Sequence, residues 1–136
     1  MTIERLVLLS VVIDCADPPV LAEFWESFTG YEVEHGDDSW VSLRSPDGGI
    51  RISFQKVPEP KSVKNRVHLD FGADDEEVTA AWIESLGATR RWVSLDPNDP
   101  FVVLADPEGN EFCVVRSVDQ GVPTNPSSSS SPTGTT

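Results

Sequence analysis

The chain of 136 residues has few of the features that define membrane and secreted proteins. No apolar run approaches the roughly 20 residues that a membrane-spanning helix needs. The apolar N-terminal stretch contains Glu4 and Arg5 and precedes no small-residue cleavage site, so we expect no signal peptide and a cytoplasmic location. The only two cysteines, Cys15 and Cys113, lack the spacing of a metal motif, and we expect them to be free thiols.

Basic residues are scarce: 10 Lys and Arg stand against 23 Asp and Glu, which gives a net charge of −13. An acidic protein repels phosphate backbones and anionic lipid surfaces, so we expect neither a nucleic-acid partner nor a membrane partner. The charge is compatible with a cationic ligand, although solubility alone also explains it. With 38% hydrophobic residues, the length favours one domain with a core that needs no disulfide or structural metal.

The composition changes near residue 119. Residues 119–136 are rich in Ser, Pro and Thr, and Val122 is their only aliphatic residue apart from prolines. Such a segment buries too little apolar surface to offset the entropy of ordering it. The sequence therefore predicts a folded domain over residues 1–118 and a disordered tail over residues 119–136.

The folded part contains two similar halves. Asp17 is followed by a tryptophan eight residues later and by Gly30 five residues after that, and Asp74 is followed in the same way by Trp82 and Gly87. Aspartate is typical of a helix start and glycine of a helix end, so each stretch is predicted to be an amphipathic helix. Its apolar face is expected to pack in the core. These faces comprise Val20, Leu21, Phe24, Trp25 and Phe28 in the first half, and Val78, Ala81, Trp82 and Leu86 in the second.

Strand-like segments surround each helix in the same order. They cover residues 6–15, 31–35, 40–44 and 50–57 in the first half, and 66–71, 88–93, 101–105 and 111–118 in the second. Turns of similar sequence, Pro-Asp-Gly and Pro-Glu-Gly, join the last two strands of each half. The pattern predicts an α+β fold of two βαβββ modules, residues 5–57 and 65–118, whose mixed sheets curve around a cleft.

Strand alternation assigns the side chains to two faces of each sheet. One set, which includes Val11, Ile52, Val67 and Phe112, is predicted to face the helices. The other set, predicted to line the cleft, is more polar: Ser10, Val12, Asp14, Arg51, Ser53, Gln55, His68, Asp70, Glu111, Cys113 and Val115.

With this organisation the chain resembles the vicinal oxygen chelate superfamily of glyoxalase I, the bleomycin-resistance proteins and the extradiol dioxygenases, and most of all its glyoxalase-like domain proteins. The segments that carry the resemblance are residues 16–18, 21–25 and 29–31 in the first half, and 64–70, 86–88 and 106–113 in the second.

The resemblance implies a divalent metal, such as Zn, Ni, Mn or Fe, held by one residue from the first and last strand of each module. The usual set is His, Glu or Gln, His, and Glu. Here His68 matches, Gln55 matches within two residues, Ser10 stands at the first position and Cys113 at the last. The set is incomplete, so a non-standard metal site and a metal-free site both remain open. Other donors near these positions are Glu111 and Asp14.

Three functions are compatible with these residues. In the first, a glyoxalase-like enzyme acts on a small oxygenated molecule by lyase or isomerase chemistry, and His68 or Glu111 transfers a proton beside a carbonyl or enediolate. Asp70 is a candidate partner of His68, but residues two apart on a strand lie about 6–7 Å apart, so direct pairing stays open. The resemblance also implies a homodimer.

The second function is non-catalytic binding of a small drug or metabolite, as in the bleomycin-resistance proteins. The candidate ligand-binding residues are Trp40, Trp92, Asp14, Arg51 and Asp70. The third is a structural or partner-binding module. Metal content and the effect of His68→Ala separate the three.

Overall fold

The computed structural model describes residues 4–117. The predicted tail, residues 119–136, lies outside the described residues. The described residues divide into two compact units, one up to residue 61 and the other from residue 62. We call them module 1 and module 2, and each is described by itself.

Module 1 consists of a helix and a four-stranded mixed sheet. Its elements are β1 (Ser10–Cys15), α1 (Pro18–Thr29), β2 (Glu32–Gly36), β3 (Trp40–Arg44) and β4 (Arg51–Lys56). The strand order is β1-β4-β3-β2, in which β1 and β4 are parallel and the other pairs are antiparallel.

Module 2 repeats this arrangement. Its elements are β5 (Leu69–Ala73), α2 (Glu76–Ser85), β6 (Thr89–Val93), β7 (Phe101–Ala105) and β8 (Glu111–Arg116). The strand order is β5-β8-β7-β6, with β5 and β8 parallel. The predicted α+β fold of two βαβββ modules is confirmed. The predicted cleft stays a prediction.

Helix α1 packs as the sequence predicts, except that Val20 is 57% exposed. At its start, the Asp17 carboxylate accepts a hydrogen bond from the Val20 N–H. Pro18 fits the first turn because the N–H that proline lacks would have no partner there. The helix ends at Gly30, whose φ is 77°. Trp25 is 1% exposed, and its ring lies 6.2 Å from that of Phe54 on β4. Burial of this aromatic face fixes α1 on its sheet.

Helix α2 does not bury the face that the spacing predicted. Its N-cap is Asp75, whose carboxylate accepts from two N–H groups of the first turn, and not Asp74. The helix therefore starts one residue later than predicted, and the buried face is also displaced by one residue, which is about 100° around the helix. Ile83 takes the place equivalent to Trp25 and is 1% exposed, whereas Trp82 is 50% exposed. The predicted core face of this helix was wrong, because all of its members are exposed: Val78, Ala81, Trp82 and Leu86.

Two strands begin well after their predicted first residues 6 and 66. Strand β1 begins at Ser10, which pairs with Arg51, the first residue of β4. Residues 6–9 therefore have no partner residues in β4, and the contact there is the hydrogen bond from the Arg51 N–H to the Leu9 carbonyl. Strand β5 begins at Leu69, and Val67, predicted to face the helix, is 74% exposed. Residues before a ladder have no neighbouring strand to set their faces, so alternation does not apply to them.

Within residues 4–117, no helix is long and apolar enough to cross a membrane.

Candidate functional site

The sheet of module 2 carries a cavity of about 270 Å³ on one face. The strand register explains its position, because Asp70, Cys113, Val103 and Trp92 are successive partners across β5, β8, β7 and β6. Directly paired residues point to the same face of a sheet. The residues that line the cavity are Lys64, His68, Asp70, Asp99, Phe101, Val103, Glu111, Cys113 and Val115.

His68 and Asp70 lie close together at this cavity. The distance from His68 Nδ1 to Asp70 Oδ1 is 3.3 Å, and both side chains are about half exposed. The 6–7 Å separation expected along a strand does not apply, because His68 precedes β5. A carboxylate beside Nδ1 favours the proton on that nitrogen and leaves Nε2 to exchange a proton with a ligand.

Cys113 completes a group of three polar side chains. Its sulfur lies 3.9 Å from His68 Nδ1 and the residue is buried. Burial, with a smaller contribution from the negative charge of Asp70, raises the pKa of the Cys113 thiol from 9.0 to about 11. The sulfur is therefore a neutral thiol near pH 7, which makes it a poor nucleophile unless a cation binds.

These three side chains fit a divalent ion by distance and by chemistry. One donor atom from each of His68, Asp70 and Cys113 lies within 4.8 Å of the other two. Nitrogen, oxygen and sulfur donors bound to tetrahedral zinc lie about 3.3–3.7 Å apart, so only small movements separate the group from a ligand set. Within residues 4–117, this is the only such group of three or more potential ligands.

Glu111, the second predicted proton carrier, is in a different environment. Its carboxylate accepts a hydrogen bond from Lys64 Nζ at 2.8 Å, and its backbone N–H donates to Asn65 Oδ1 at 3.2 Å. The Glu111 carboxylate is thus already paired with a cation, whereas the His68 ring faces the carboxylate of Asp70. His68 is therefore the better candidate for proton transfer, and Glu111 contributes negative charge to the cavity.

Trp92 lies at the margin of the same face. It pairs with Val103, which lines the cavity, and its ring lies 5.6 Å from that of Phe101. An aromatic pair beside carboxylates provides a surface on which a flat or cationic group can stack.

The remaining predicted site residues belong to module 1. Asp14, Gln55 and Trp40 are successive partners across β1, β4 and β3, so they share one face of that sheet. Arg51 Nε donates to Glu34 Oε1 at 2.6 Å, and this hydrogen bond lowers the pKa of the Glu34 carboxyl. The arginine is thus already paired with a carboxylate, and its role in ligand binding stays a prediction, as do those of Asp14, Gln55 and Trp40.

Ser10 takes part in a chain of hydroxyl groups. Its Oγ lies 2.9 Å from Ser53 Oγ, which lies 2.9 Å from Ser42 Oγ. Ser42 and Ser53 are buried, so these bonds offset the cost of burying the hydroxyls.

Four cavity residues were not predicted from the sequence: Lys64, Asp99, Phe101 and Val103. Phe101 and Val103 are two apart on β7, but both faces of that strand are apolar, so alternation did not single them out. Asp99 lies in the loop before β7, where strand periodicity gives no information. Lys64 lies in the irregular segment before β5, where only the contacts with β8 determine its place.

A sequence model of the family described as "Glyoxalase-like domain" matches residues 10–115 of the chain. No curated protein matches it.

Solved structures of similar fold include several proteins of the same superfamily. A glyoxalase/bleomycin resistance protein/dioxygenase family enzyme from Burkholderia phytofirmans PsJN is 20% identical, with a TM-score of 0.65 over 79% of this chain and 95% of that one. A bleomycin-binding protein from Streptomyces verticillus, complexed with copper(II)-bleomycin, is 18% identical, with a TM-score of 0.60 over 84% and 98%. A glyoxalase-related enzyme from Fulvimarina pelagi is 13% identical, with a TM-score of 0.65 over 81% and 87%. At these identities the similarity shows the fold alone.

Proposed function

The chain belongs to the glyoxalase-like domain family of the vicinal oxygen chelate superfamily, and from that membership we propose that it is an enzyme acting on a small oxygenated molecule. The reaction is of lyase or isomerase type and takes place at the cavity of module 2. The observation that carries the proposal is the 3.3 Å distance between His68 Nδ1 and Asp70 Oδ1 beside that cavity.

The roles of the residues follow from their contacts. Nε2 of His68 takes a proton from a carbon next to the substrate carbonyl and returns it to the adjacent carbon or oxygen. Asp70 orients the ring and stabilises the imidazolium formed after the first transfer. The cavity volume of about 270 Å³ lies just below the roughly 300–1,000 Å³ of typical ligand sites, which favours a small substrate.

His68, Asp70 and Cys113 would hold a divalent metal if one binds here. Such an ion supplies a Lewis acid that polarises a carbonyl oxygen and stabilises an enediolate. A set of one nitrogen, one oxygen and one sulfur donor favours zinc over magnesium or calcium, which prefer oxygen ligands alone.

Proton exchange tests the proposed activity. Hydroxyacetone and a panel of small hydroxyketones are incubated in D2O with the protein, either metal-free or loaded with Zn, Ni, Mn or Fe, and loss of the C–H signal is followed by NMR. We expect His68→Gln to lower the exchange rate by about 100-fold or more, since general-base catalysis contributes about 10²–10⁴-fold.

His35→Gln is the matched control, because it removes the only other histidine, which lies exposed on β2. It should exchange at the wild-type rate. Exchange no faster than in buffer under every metal condition, or a normal rate in His68→Gln, contradicts the proposal.

A second function is favoured by the charge of the cavity. Three carboxylates, Asp70, Asp99 and Glu111, line it together with one lysine. Such a site suits a cationic ligand, as does the Trp92–Phe101 pair. The alternative is therefore a non-catalytic protein that binds a small drug or metabolite, in the manner of the bleomycin-binding neighbour.

Titration with metal-free bleomycin, followed by tryptophan fluorescence, tests this alternative. Binding that quenches the wild-type signal but not that of Trp92→Phe supports a ligand on the module 2 face. An unchanged fluorescence in the wild type excludes bleomycin as the ligand. The homodimer and the cytoplasmic location also remain proposals, and sedimentation analysis of the purified chain tests the first.

A further inference from the structure

The segment that carries His68 does not belong to the sheet. Strand β5 begins one residue later, at Leu69, which pairs with Phe112 on β8. Sheet hydrogen bonds therefore do not fix residues 64–68, which we call the His68 segment. The position of His68 relative to Asp70 therefore depends on other contacts, among them the contacts between this segment and β8.

Asn65 makes one hydrogen bond to β8 and a second one within the segment. Its Oδ1 accepts from the N–H of Glu111, the first residue of β8, at 3.2 Å. Its Nδ2 donates to the carbonyl of Val67, the residue next to His68, at 3.3 Å. The amide oxygen thus accepts a hydrogen bond from the Glu111 N–H, which lies just beyond the first pair of the β5–β8 ladder. The amide nitrogen closes the turn that leads into His68.

Lys64 makes a weaker contact between the same segment and β8. Its ammonium group lies 2.8 Å from Glu111 Oε1, but the lysine side chain is 74% exposed. Exposed ion pairs contribute little because water and salt screen them and because ordering a long side chain costs entropy. Asn65 is half-buried, and its bond to the Glu111 N–H is partly shielded from water, whereas its bond to the Val67 carbonyl is exposed.

We infer that Asn65 is a positioning residue for His68, an inference that rests on the proposed proton transfer. By joining β8 to Val67, the Asn65 amide holds the imidazole beside Asp70 and Cys113. Without the amide, the His68 segment keeps the Lys64 ion pair but loses the hydrogen bond to the Glu111 N–H and the one to the Val67 carbonyl. The exchange step depends on this placement, since a displacement of about 1 Å can cost about 10²-fold in rate.

NMR of the ring tests the placement without any assay of activity. In the wild type we expect nuclear Overhauser contacts between the His68 ring and the Cys113 β-protons, because His68 Nδ1 and Cys113 Sγ lie 3.9 Å apart. Asn65→Ala should weaken or abolish them. Asn65→Asp retains the acceptor for Glu111 N–H and loses the donor to Val67, so it should give an intermediate result. The ring signals of His35 provide an internal reference.

Asn98→Ala is the matched control, because it removes an exposed asparagine side chain from the loop before β7. It should leave the His68 contacts unchanged. Amide spectra of β7 and β8 establish that each variant is folded, and Asn65→Asp serves if Asn65→Ala is not. Wild-type His68–Cys113 contacts in a folded Asn65→Ala protein overturn the inference.

Kinetics supply a second readout once exchange is detected. Asn65→Ala should lower kcat about ten-fold or more while KM changes less than about two-fold, because the substrate still fits a cavity whose base is misplaced. A rise in KM with an unchanged kcat overturns the positioning role. If the wild type shows no exchange, the proposed function fails, while the NMR contacts still decide whether Asn65 places His68.

Discussion

For two neighbouring residues of α2, we predict that removing the smaller side chain costs more stability than removing the larger one. Ile83 is 1% exposed and Trp82 is 50% exposed. Ile83→Ala removes three buried carbon groups, worth about 0.8 kcal/mol each, and leaves a cavity that adds to the loss, so we expect a cost of about 2–4 kcal/mol. Trp82→Ala removes contact over about 100 Å², or at most about 2.5 kcal/mol.

The expected cost of Trp82→Ala is lower than that limit, about 1 kcal/mol. The unfolded chain already buries part of the tryptophan surface, and alanine is the better helix former by roughly 0.5 kcal/mol. Urea unfolding followed by circular dichroism measures both variants, and hydrogen exchange of β8 peptides reports on module 2 alone. If Trp82→Ala costs as much as Ile83→Ala, the assignment of Ile83 and not Trp82 to the buried face of α2 is wrong.

Three further predictions concern other parts of the chain. In metal-free Cys15→Ser protein, alkylation of Cys113 by iodoacetamide should be very slow at pH 7 and should rise towards pH 11, because the thiol pKa is raised to about 11 and only the thiolate reacts; a rate that levels off near pH 8 contradicts this. Asp70→Asn and Cys113→Ser should each weaken zinc binding measured by calorimetry, whereas Gln55→Ala should leave it unchanged; a loss in Gln55→Ala with none in Asp70→Asn would favour the ligand set first predicted from the sequence, Gln55, His68 and Cys113. Asp17→Ala should destabilise module 1 by about 0.5–2 kcal/mol through loss of the helix cap, and an unchanged urea midpoint would show that the bond to Val20 contributes nothing.

The candidate site could be predicted in part. The sequence indicated His68, Asp70, Glu111 and Cys113 as one face of two strands, and the structure brings them to one cavity. It did not show whether His68 and Asp70 touch, because strand geometry places such residues apart and the answer depends on β5 beginning after His68. It also gave no signal for Asp99, whose place depends on a loop.

What the sequence by itself determined was the duplicated βαβββ organisation, because caps, turns and apolar periodicity act within a few residues of one another. What only the tertiary structure decided was the phase of α2 and the extent of β1 and β5. Asp74 and Asp75 are both good caps, and only packing against the sheet selects the one that buries Ile83 and turns Trp82 outward. Likewise a strand continues only as far as a neighbour supplies partners, and those partners come from residues more than 40 positions away.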